Sequence, residues 1–192
     1  MATDASPSRL RELALGCGFT CAGELRTDTI RIRPEVRDTC ATGKCNSYGK
    51  SWSCPPACGS LEECEQRIRR YGGGLILQTS GTLEDSLDYE GMTQISADHA
   101  KHLRAFQEAL LSLYSVSEAD APLPYLLLGA GACKSCEQCS YPDSPCRFPE
   151  RMLVSMEAMG MVVSDVCQAN NLPYYYGPNT LTYVGCVLIC NR

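Results

Sequence analysis

The sequence predicts an α/β protein with a mixed sheet flanked by helices and with cysteine-rich loops at the strand ends. Amphipathic helical patterns alternate along the 192 residues with short apolar strand patterns. The 14 cysteines are concentrated mainly in two groups that lie between those patterns. A length of 192 residues suits one globular domain. We therefore expect a single domain, 1–192, with cysteine-rich loops at about residues 36–64 and 129–150.

Two helices, a hairpin and a buried strand are predicted in the N-terminal half. SPSRLRELALGCGF predicts a helix, because a serine can cap it and Pro7 suits its first turn. The segment from Phe19 to Pro34 ends in alternating apolar and basic residues, which indicates a hairpin. SLEECEQRIRRYG contains a capping box, Ser60 with Glu63, and predicts a second helix. The apolar stretch LILQT follows as a strand.

The C-terminal half predicts two helices and two strands. The longest amphipathic helix is expected from about Ser96 to Tyr114, where apolar residues recur at helical spacing. PYLLLGAGAC predicts a strand that runs into a glycine-rich turn and then into the second cysteine group. A further helix is expected within Pro149 to Asn170. LTYVGCVLI is rich in β-branched and apolar residues and predicts the last strand.

The second cysteine group, GACKSCEQCSYPDSPCRFP, has the clearer spacing. Cys133, Cys136 and Cys139 follow one another at intervals of three, and Cys146 comes seven residues later. Thiolates three residues apart on one curling loop can each reach a different iron of a cubane, and a more distant cysteine supplies the fourth corner. A single zinc ion is usually held by two separate C-x-x-C pairs. The spacing therefore favours an iron–sulfur cluster over zinc.

The residues around this group suit a cluster. Gly129 and Gly131 let the backbone come close, so that N–H groups can point at sulfur atoms. Four thiolates on an oxidised [4Fe–4S] core leave about two negative charges, which burial disfavours. Lys134, Arg147 and Arg151 are placed to offset that charge. Solvent exposure explains each of these cations equally well.

Cys40, Cys45, Cys54 and Cys58 form the first group, in which the spacing is looser. A long interval such as the one between Cys45 and Cys54 serves zinc, a cluster or no metal at all. Spacing alone therefore leaves the nature of this site open.

Four segments, VRDTC, CNSYGKSWSCPP, GACKSCEQC with CRFP, and MEAMGM, together resemble a known family. This is a poorly characterised family of predicted metal-binding, cysteine-rich proteins, mostly from anaerobic microbes. The resemblance covers roughly Val36 to Gly160 and depends on the two cysteine motifs. It implies two iron–sulfur sites, and it carries no established reaction with it.

The resemblance implies that Cys40, Cys45 and Cys54 bind the first cluster. Cys58 is the expected fourth ligand, unless Cys64 or a non-protein ligand takes that place. With four cysteine ligands every iron is capped and the site only passes electrons. With three, one iron is open and acts as a Lewis acid.

Aromatic and basic residues accompany the first group. Tyr48 and Trp52 lie inside the motif, and we expect them to shield the metal from water rather than only fill the core. Arg37, Lys44 and Lys50 supply positive charge nearby, as at the second group.

Other potential ligands are expected to have structural roles. His99 and His102 are spaced to bind a metal together, but no cysteine or carboxylate accompanies them in a known spacing, so we expect a solvent-facing helix. Cys167, Cys186 and Cys190 fall in helix and strand patterns, where a free cysteine behaves as a small buried hydrophobe.

Composition restricts location and partners. A formal net charge of -5 offers no basic surface for nucleic acid or an anionic membrane. No run of about 18 apolar residues is present, and the N-terminal residues do not resemble a signal peptide, so we expect a cytoplasmic protein. Thiols stay reduced in the cytoplasm, which favours metal binding over disulfides for the cysteines.

These features predict a protein with two [4Fe–4S] clusters that transfers electrons to or from a redox partner protein. The sites are Cys40, Cys45, Cys54 and Cys58, and Cys133, Cys136, Cys139 and Cys146. Two alternatives stay open. One is an enzyme whose first cluster has an open iron and performs non-redox chemistry on sulfur-containing substrates, and the other is a cluster carrier.

Overall fold

A computed structural model describes residues 6–43, 45–114 and 123–190, which form five α-helices and five strands. The helices are α1 (Pro7–Gly16), α2 (Pro34–Ala41), α3 (Leu61–Arg69), α4 (Tyr89–Tyr114) and α5 (Val163–Ala169). The strands are β1 (Cys21–Arg26), β2 (Gly73–Thr82), β3 (Tyr125–Gly129), β4 (Val154–Ser155) and β5 (Thr180–Ile189). The predicted α/β class is confirmed.

The strands form one mixed sheet in the order β1-β2-β5-β3-β4. Neighbouring strands from β1 to β3 in this order pair antiparallel, whereas β4, at the edge of the sheet, pairs parallel with β3. The longest ladder joins β2 to β5, from Gly73 opposite Ile189 to Thr82 opposite Thr180. Gly74 is required in this ladder, because a Cβ there would lie 1.8 Å from the carbonyl oxygen of Val187.

Alternating side chains of the sheet enter two hydrophobic cores, one on each face. Leu75 and Leu77 of β2 face one core with α1 and α4, whereas Ile76 faces the other with α3 and α5. β3 alternates in the same way, with Leu127 on the first side and Leu128 on the second. The strands are apolar on both sides because helices cover both faces of the sheet.

The predicted capping box places α3 directly after the first cysteine group. The backbone N–H of Glu63 donates to Ser60 Oγ at 3.1 Å, and the N–H of Ser60 donates to Glu63 Oε2 at 2.6 Å. These bonds satisfy two backbone donors at the helix start. The helix then directs Cys64 and Ile68 into the core.

The hairpin expected between Phe19 and Pro34 is wrong. Only Cys21–Arg26 forms a strand, and it pairs with β2 instead of with the residues that follow it. Thr27–Thr29 form a 3-10 turn, and Ile32 makes an isolated bridge to Met161. The alternation of TIRIR arises because Ile30 is buried under the sheet while its basic neighbours face solvent.

Other helix boundaries also differ from the expectation. The helix expected within Pro149 to Asn170 is confined to α5, because Gly160 adopts φ 84° and interrupts any longer helix. α4 begins at Tyr89, seven residues before Ser96. No helix was expected at the position of α2, so Cys40 lies on a helix and not in a loop as expected.

No helix within residues 6–43, 45–114 and 123–190 is both long and apolar enough to span a bilayer.

Candidate metal centre

The four cysteines of the second group surround one cavity beyond the end of β3. Cys133, Cys136, Cys139 and Cys146 all line it, and each is partly buried. The chain turns back on itself between them, and the N–H of Ser144 donates to the carbonyl oxygen of Ser140 at 3.0 Å. We call this space the thiol cavity. Its other walls come from the two ends of the same loop and from the first cysteine group, and consist of Ser51, Trp52, Ser53, Ser135, Ser140, Arg147, Phe148 and Met152.

The electrostatics of the thiol cavity show that its cysteines influence one another. Burial raises the pKa of Cys146, the backbone N–H of Phe148 opposes that shift, and the negative charges of Cys133, Cys136 and Cys139 add to it. Several anionic sulfurs in this space therefore repel one another unless a cation or a metal lies between them.

Cys139 receives hydrogen bonds that favour its thiolate. Burial by itself would raise its pKa, but the backbone N–H groups of Trp52 and Tyr141 and the hydroxyl of Ser51 outweigh burial. The guanidinium of Arg147 acts in the same direction, so the pKa of Cys139 is lowered overall. N–H donors of this kind hold a metal-bound sulfur in place and stabilise its charge.

Trp52 belongs to the thiol cavity and not to the first cysteine group. Its indole Nε1 donates to the carbonyl oxygen of Ser144 at 2.9 Å, and its ring meets that of Tyr141 edge-on, with 4.9 Å between the centroids. The expectation that Trp52 shields the first site is therefore wrong. Tyr48, its expected companion, is 39% exposed.

The first cysteine group is gathered where α2, the following loop and the start of α3 meet. Burial raises the pKa of Cys54, the hydroxyl of Ser53 opposes that shift, and negative charge on Cys45, Cys58 and Cys40 adds to it. The pKa of Cys40 is likewise raised by burial first and then by Cys45. The four side chains thus lie within electrostatic range of one another, with Cys54 buried and Cys45 exposed.

Cys58 and Cys64 form a pair beside Arg37. The Nη2 of Arg37 donates to Cys58 Sγ at 2.8 Å and lies 3.8 Å from Cys64 Sγ, while its Nε donates to the carbonyl oxygen of Ala158 at 2.8 Å. A hydrogen bond between the two thiols lowers the pKa of Cys64 to about 7 and raises that of Cys58. The pair therefore loses its first proton easily and its second with difficulty.

The positions of this pair distinguish the two candidates for the fourth ligand. Cys58 influences the pKa of both Cys40 and Cys54, whereas Cys64 is buried in the core on α3. Cys58 therefore lies within electrostatic range of two of the other cysteines of the first group, Cys40 and Cys54.

The two cysteine groups are joined through Ser53, which is 1% exposed. Its Oγ accepts a hydrogen bond from the backbone N–H of Cys133 at 3.0 Å, and it precedes Cys54 in the chain. Ser51 reinforces the junction, since its Oγ lies 3.0 Å from Ser53 Oγ and its hydroxyl also reaches Cys139. The segment between Cys45 and Cys54 thus forms a wall of the thiol cavity. This wall arises from a contact between distant parts of the chain, so the spacing of the cysteines in the sequence does not reveal it.

The expected cations have different surroundings. Arg147 lines the thiol cavity and donates to the carbonyl oxygen of Gln138 at 2.8 Å. Arg151 pairs with Glu108 and with Glu150, so its charge is largely compensated. Lys50 is exposed, and Lys44 lies outside the described residues.

A carboxylate that the sequence did not single out faces the first group. Glu157 and Tyr174 line an open cleft of about 490 Å³ together with Cys40 and Cys45. We call it the Glu157 cleft. Glu157 lies in the MEAMGM segment that carried part of the resemblance, which was the one available indication of its position.

The remaining histidines and cysteines depart partly from the expectation. His99 is 2% exposed, so the solvent-facing helix expected for it is wrong. Cys167 and Cys186 are buried as expected, whereas Cys190 is exposed.

The donor set consists of thiols, which are soft ligands and suit iron–sulfur clusters and zinc. Among the described residues, no three Cys, His, Asp or Glu side chains are close enough together to share one metal ion.

Comparison with known families adds a direct finding. A family model described as "Predicted metal-binding protein (DUF2284)" matches residues 23–189. The chain belongs to this family. The match includes every cysteine of both groups, and family membership together with the thiol cavity supports a metal cofactor. Searches of curated proteins and of solved structures give no match to this DUF2284 member.

Proposed function

We propose that this protein holds two [4Fe–4S] clusters and passes single electrons to or from a partner protein. Cys133, Cys136, Cys139 and Cys146 hold the second cluster in the thiol cavity. Cys40, Cys45, Cys54 and Cys58 hold the first. Such clusters accept and donate one electron at a time.

The arrangement of thiols around a cavity supports a cluster at the second site. Each cysteine of a [4Fe–4S] site binds a different iron, so the four thiols must surround a cavity. A single metal ion would instead require all four sulfurs to converge on one position. The N–H groups aimed at Cys139 hold its sulfur in a fixed position, and Arg147 offsets negative charge at the same wall. Trp52 and Phe148 supply the aromatic part of the cavity wall.

The observation that carries the proposal is the hydrogen bond between Ser53 and Cys133. It links a proposed ligand of the first cluster, Cys54, to a proposed ligand of the second through one residue and one hydrogen bond of 3.0 Å. Both groups are therefore connected through a buried serine. A short, rigid connection between two redox sites is what electron transfer between them requires.

A potentiometric titration followed by electron paramagnetic resonance tests the proposal. On protein purified without oxygen, we expect two reversible one-electron signals. The variant Cys136→Ser should remove or alter only one of them, and Cys40→Ser only the other. Absence of any reversible signal in the iron-loaded wild-type protein would contradict electron transfer.

A second candidate function is favoured by the Glu157 cleft. This cleft opens beside Cys40 and Cys45 and is about 490 Å³ in volume, enough for a small substrate. If Cys58 stays hydrogen-bonded to Cys64 as a thiol in the loaded protein, only three cysteines bind the first cluster. Glu157 would then be the residue that orients or deprotonates a substrate at the open side.

Spectroscopy with added small thiols separates the two candidates. Perturbation of the first resonance signal by a thiol ligand, lost in Glu157→Gln, would favour the enzyme. An unchanged signal favours a capped electron carrier.

A further inference from the structure

A second cavity lies between α4 and the glycine-rich turn that follows β3, and we call it the His99 cavity. Its volume is about 40 Å³. A site for one water needs roughly 10–15 Å³ on this measure, so the cavity admits a molecule of a few heavy atoms. The turn from Gly129 to Ala132 forms one wall, α4 forms the opposite wall, and Cys133 lies at the edge nearest the thiol cavity.

His99, which lines this cavity, carries an unsatisfied polar atom. His99 is 2% exposed, and its Nε2 is buried without a hydrogen-bond partner among the described residues. Burial lowers the pKa of His99 to about 4, so the ring is neutral at physiological pH. A buried polar nitrogen without a partner costs about 1–3 kcal/mol, which a bound molecule or ordered water removes.

The opposite nitrogen of the ring is fixed by a short hydrogen-bond chain. Thr79 Oγ1 lies 3.0 Å from His99 Nδ1 and 3.1 Å from His102 Nδ1. The threonine hydroxyl has one proton, so it donates to one ring and accepts from the other. If His102 Nδ1–H donates to Thr79 and Thr79 donates to His99 Nδ1, then Nε2 of His99 carries the proton and is a free hydrogen-bond donor on a residue that lines the cavity.

Aromatic contacts hold the imidazole in this orientation. Tyr183 stacks on His99 with 5.9 Å between ring centroids and an interplanar angle of 27°, and Phe19 meets it edge-on at 5.8 Å. Tyr183 also lines the His99 cavity. The imidazole is therefore held in place before any ligand arrives.

The charges around the cavity are positive. Arg104 and Lys134 line it, and no carboxylate does so among the described residues. Neither cation has an ion-pair partner within residues 6–43, 45–114 and 123–190. In a chain with a formal charge of -5, two uncompensated cations around one small cavity favour an anion.

We propose that the His99 cavity binds a small carboxylate, the size of formate or acetate, with an oxygen that accepts a hydrogen bond from His99 Nε2. Arg104 and Lys134 offset the charge of the ligand. The proposal does not depend on the electron-transfer function, since it requires only the cavity and these three side chains.

Ligand-observed NMR tests this proposal on the protein purified without oxygen. Acetate and its neutral analogue acetamide are titrated separately, and saturation transfer from the protein to the ligand methyl group is measured. We expect acetate to bind in the millimolar range and acetamide at least tenfold more weakly. Equal binding of the two, or no binding of acetate, would overturn the proposal and leave ordered water as the occupant.

Two charge-removing variants on the same helix provide a matched comparison. Arg104→Gln should weaken acetate binding about tenfold, whereas Lys101→Gln, which removes an exposed charge outside the cavity, should leave it unchanged. Both positions are exposed, so both variants are expected to fold. Equal acetate affinities in the two variants would also overturn the proposal. His99→Gln adds a third test if the variant folds, since it should weaken acetate binding without changing the net charge of the site.

Discussion

Ser53 accepts a hydrogen bond from the backbone N–H of Cys133 at 3.0 Å and thereby ties the two cysteine groups together. Ser53 is 1% exposed and lies next to Cys54 in the chain. A residue from the motif of one group is therefore part of the frame of the other. The two groups are adjacent in the fold, although Cys54 and Cys133 lie 79 positions apart in the chain.

Removal of the Ser53 hydroxyl should destabilise this junction. Ser53→Ala leaves the N–H of Cys133 without its acceptor, and we expect the free energy of unfolding to fall by about 1–3 kcal/mol. Denaturant unfolding under anaerobic conditions measures the change. Ser47→Ala, in the same loop but without such a bond, is the control. Equal stability of the two variants would show that the Ser53 bond contributes nothing.

Trp52 provides an optical probe of the thiol cavity. It is the only tryptophan in the chain and lines that cavity. An iron–sulfur cluster absorbs across the emission band of tryptophan, so we expect weak fluorescence in the loaded protein and a severalfold increase when a chelator removes iron. Cys136→Ser, which should empty only the second site, should show the increase without a chelator. Constant emission in both cases would place the metal elsewhere.

Cys58 and Cys64 should differ in their effect on iron content. Cys58 is within electrostatic range of Cys40 and Cys54, whereas Cys64 is buried on α3. We expect Cys58→Ala to lose one or more irons of the first cluster and Cys64→Ala to retain all of them. Iron quantitation and resonance spectra check this. A loss confined to Cys64→Ala would assign the fourth ligand to Cys64.

Burial of His99 should make stability fall in mild acid. Its pKa is lowered to about 4 by burial, while in the unfolded chain it is about 6.5. The unfolded state therefore binds more protons between these two values, and stability decreases as pH falls from about 6.5 to 4. The full effect is at most about 3 kcal/mol.

A comparison with His99→Gln isolates this effect. Unfolding of both proteins is measured at pH 7 and pH 5, because acid effects on the clusters are shared and cancel in the difference. The wild-type protein should lose more stability than the variant. Equal losses would mean that His99 does not remain neutral in the folded state.

Local features of the fold were predictable from the sequence. The capping box of Ser60 and Glu63 marks the start of α3, and the apolar run of β5 is long enough to identify a strand without its neighbours. The expected hairpin and the expected long C-terminal helix do not form, because tertiary contacts determine the structure of both segments. β1 pairs with β2 across the intervening cysteine group, and the turn at Gly160 is packed against Ile32 and Leu61.

The candidate site shows the same division. Spacing alone brought Cys133, Cys136 and Cys139 to one loop, and the structure places them around one cavity. The role of Trp52 depends on Tyr141 and Ser144, about 90 residues further along the chain. The burial of His99 depends on how α4 packs on the sheet. Neither contact leaves a pattern in the sequence near the residue itself.

The most direct test of the two-cluster proposal is the content of iron, acid-labile sulfide and zinc in protein purified without oxygen. Two [4Fe–4S] clusters predict about eight irons and eight sulfides per chain, with about half of each in Cys136→Ser. A folded protein that contains zinc without sulfide, or that contains no metal, would contradict the account.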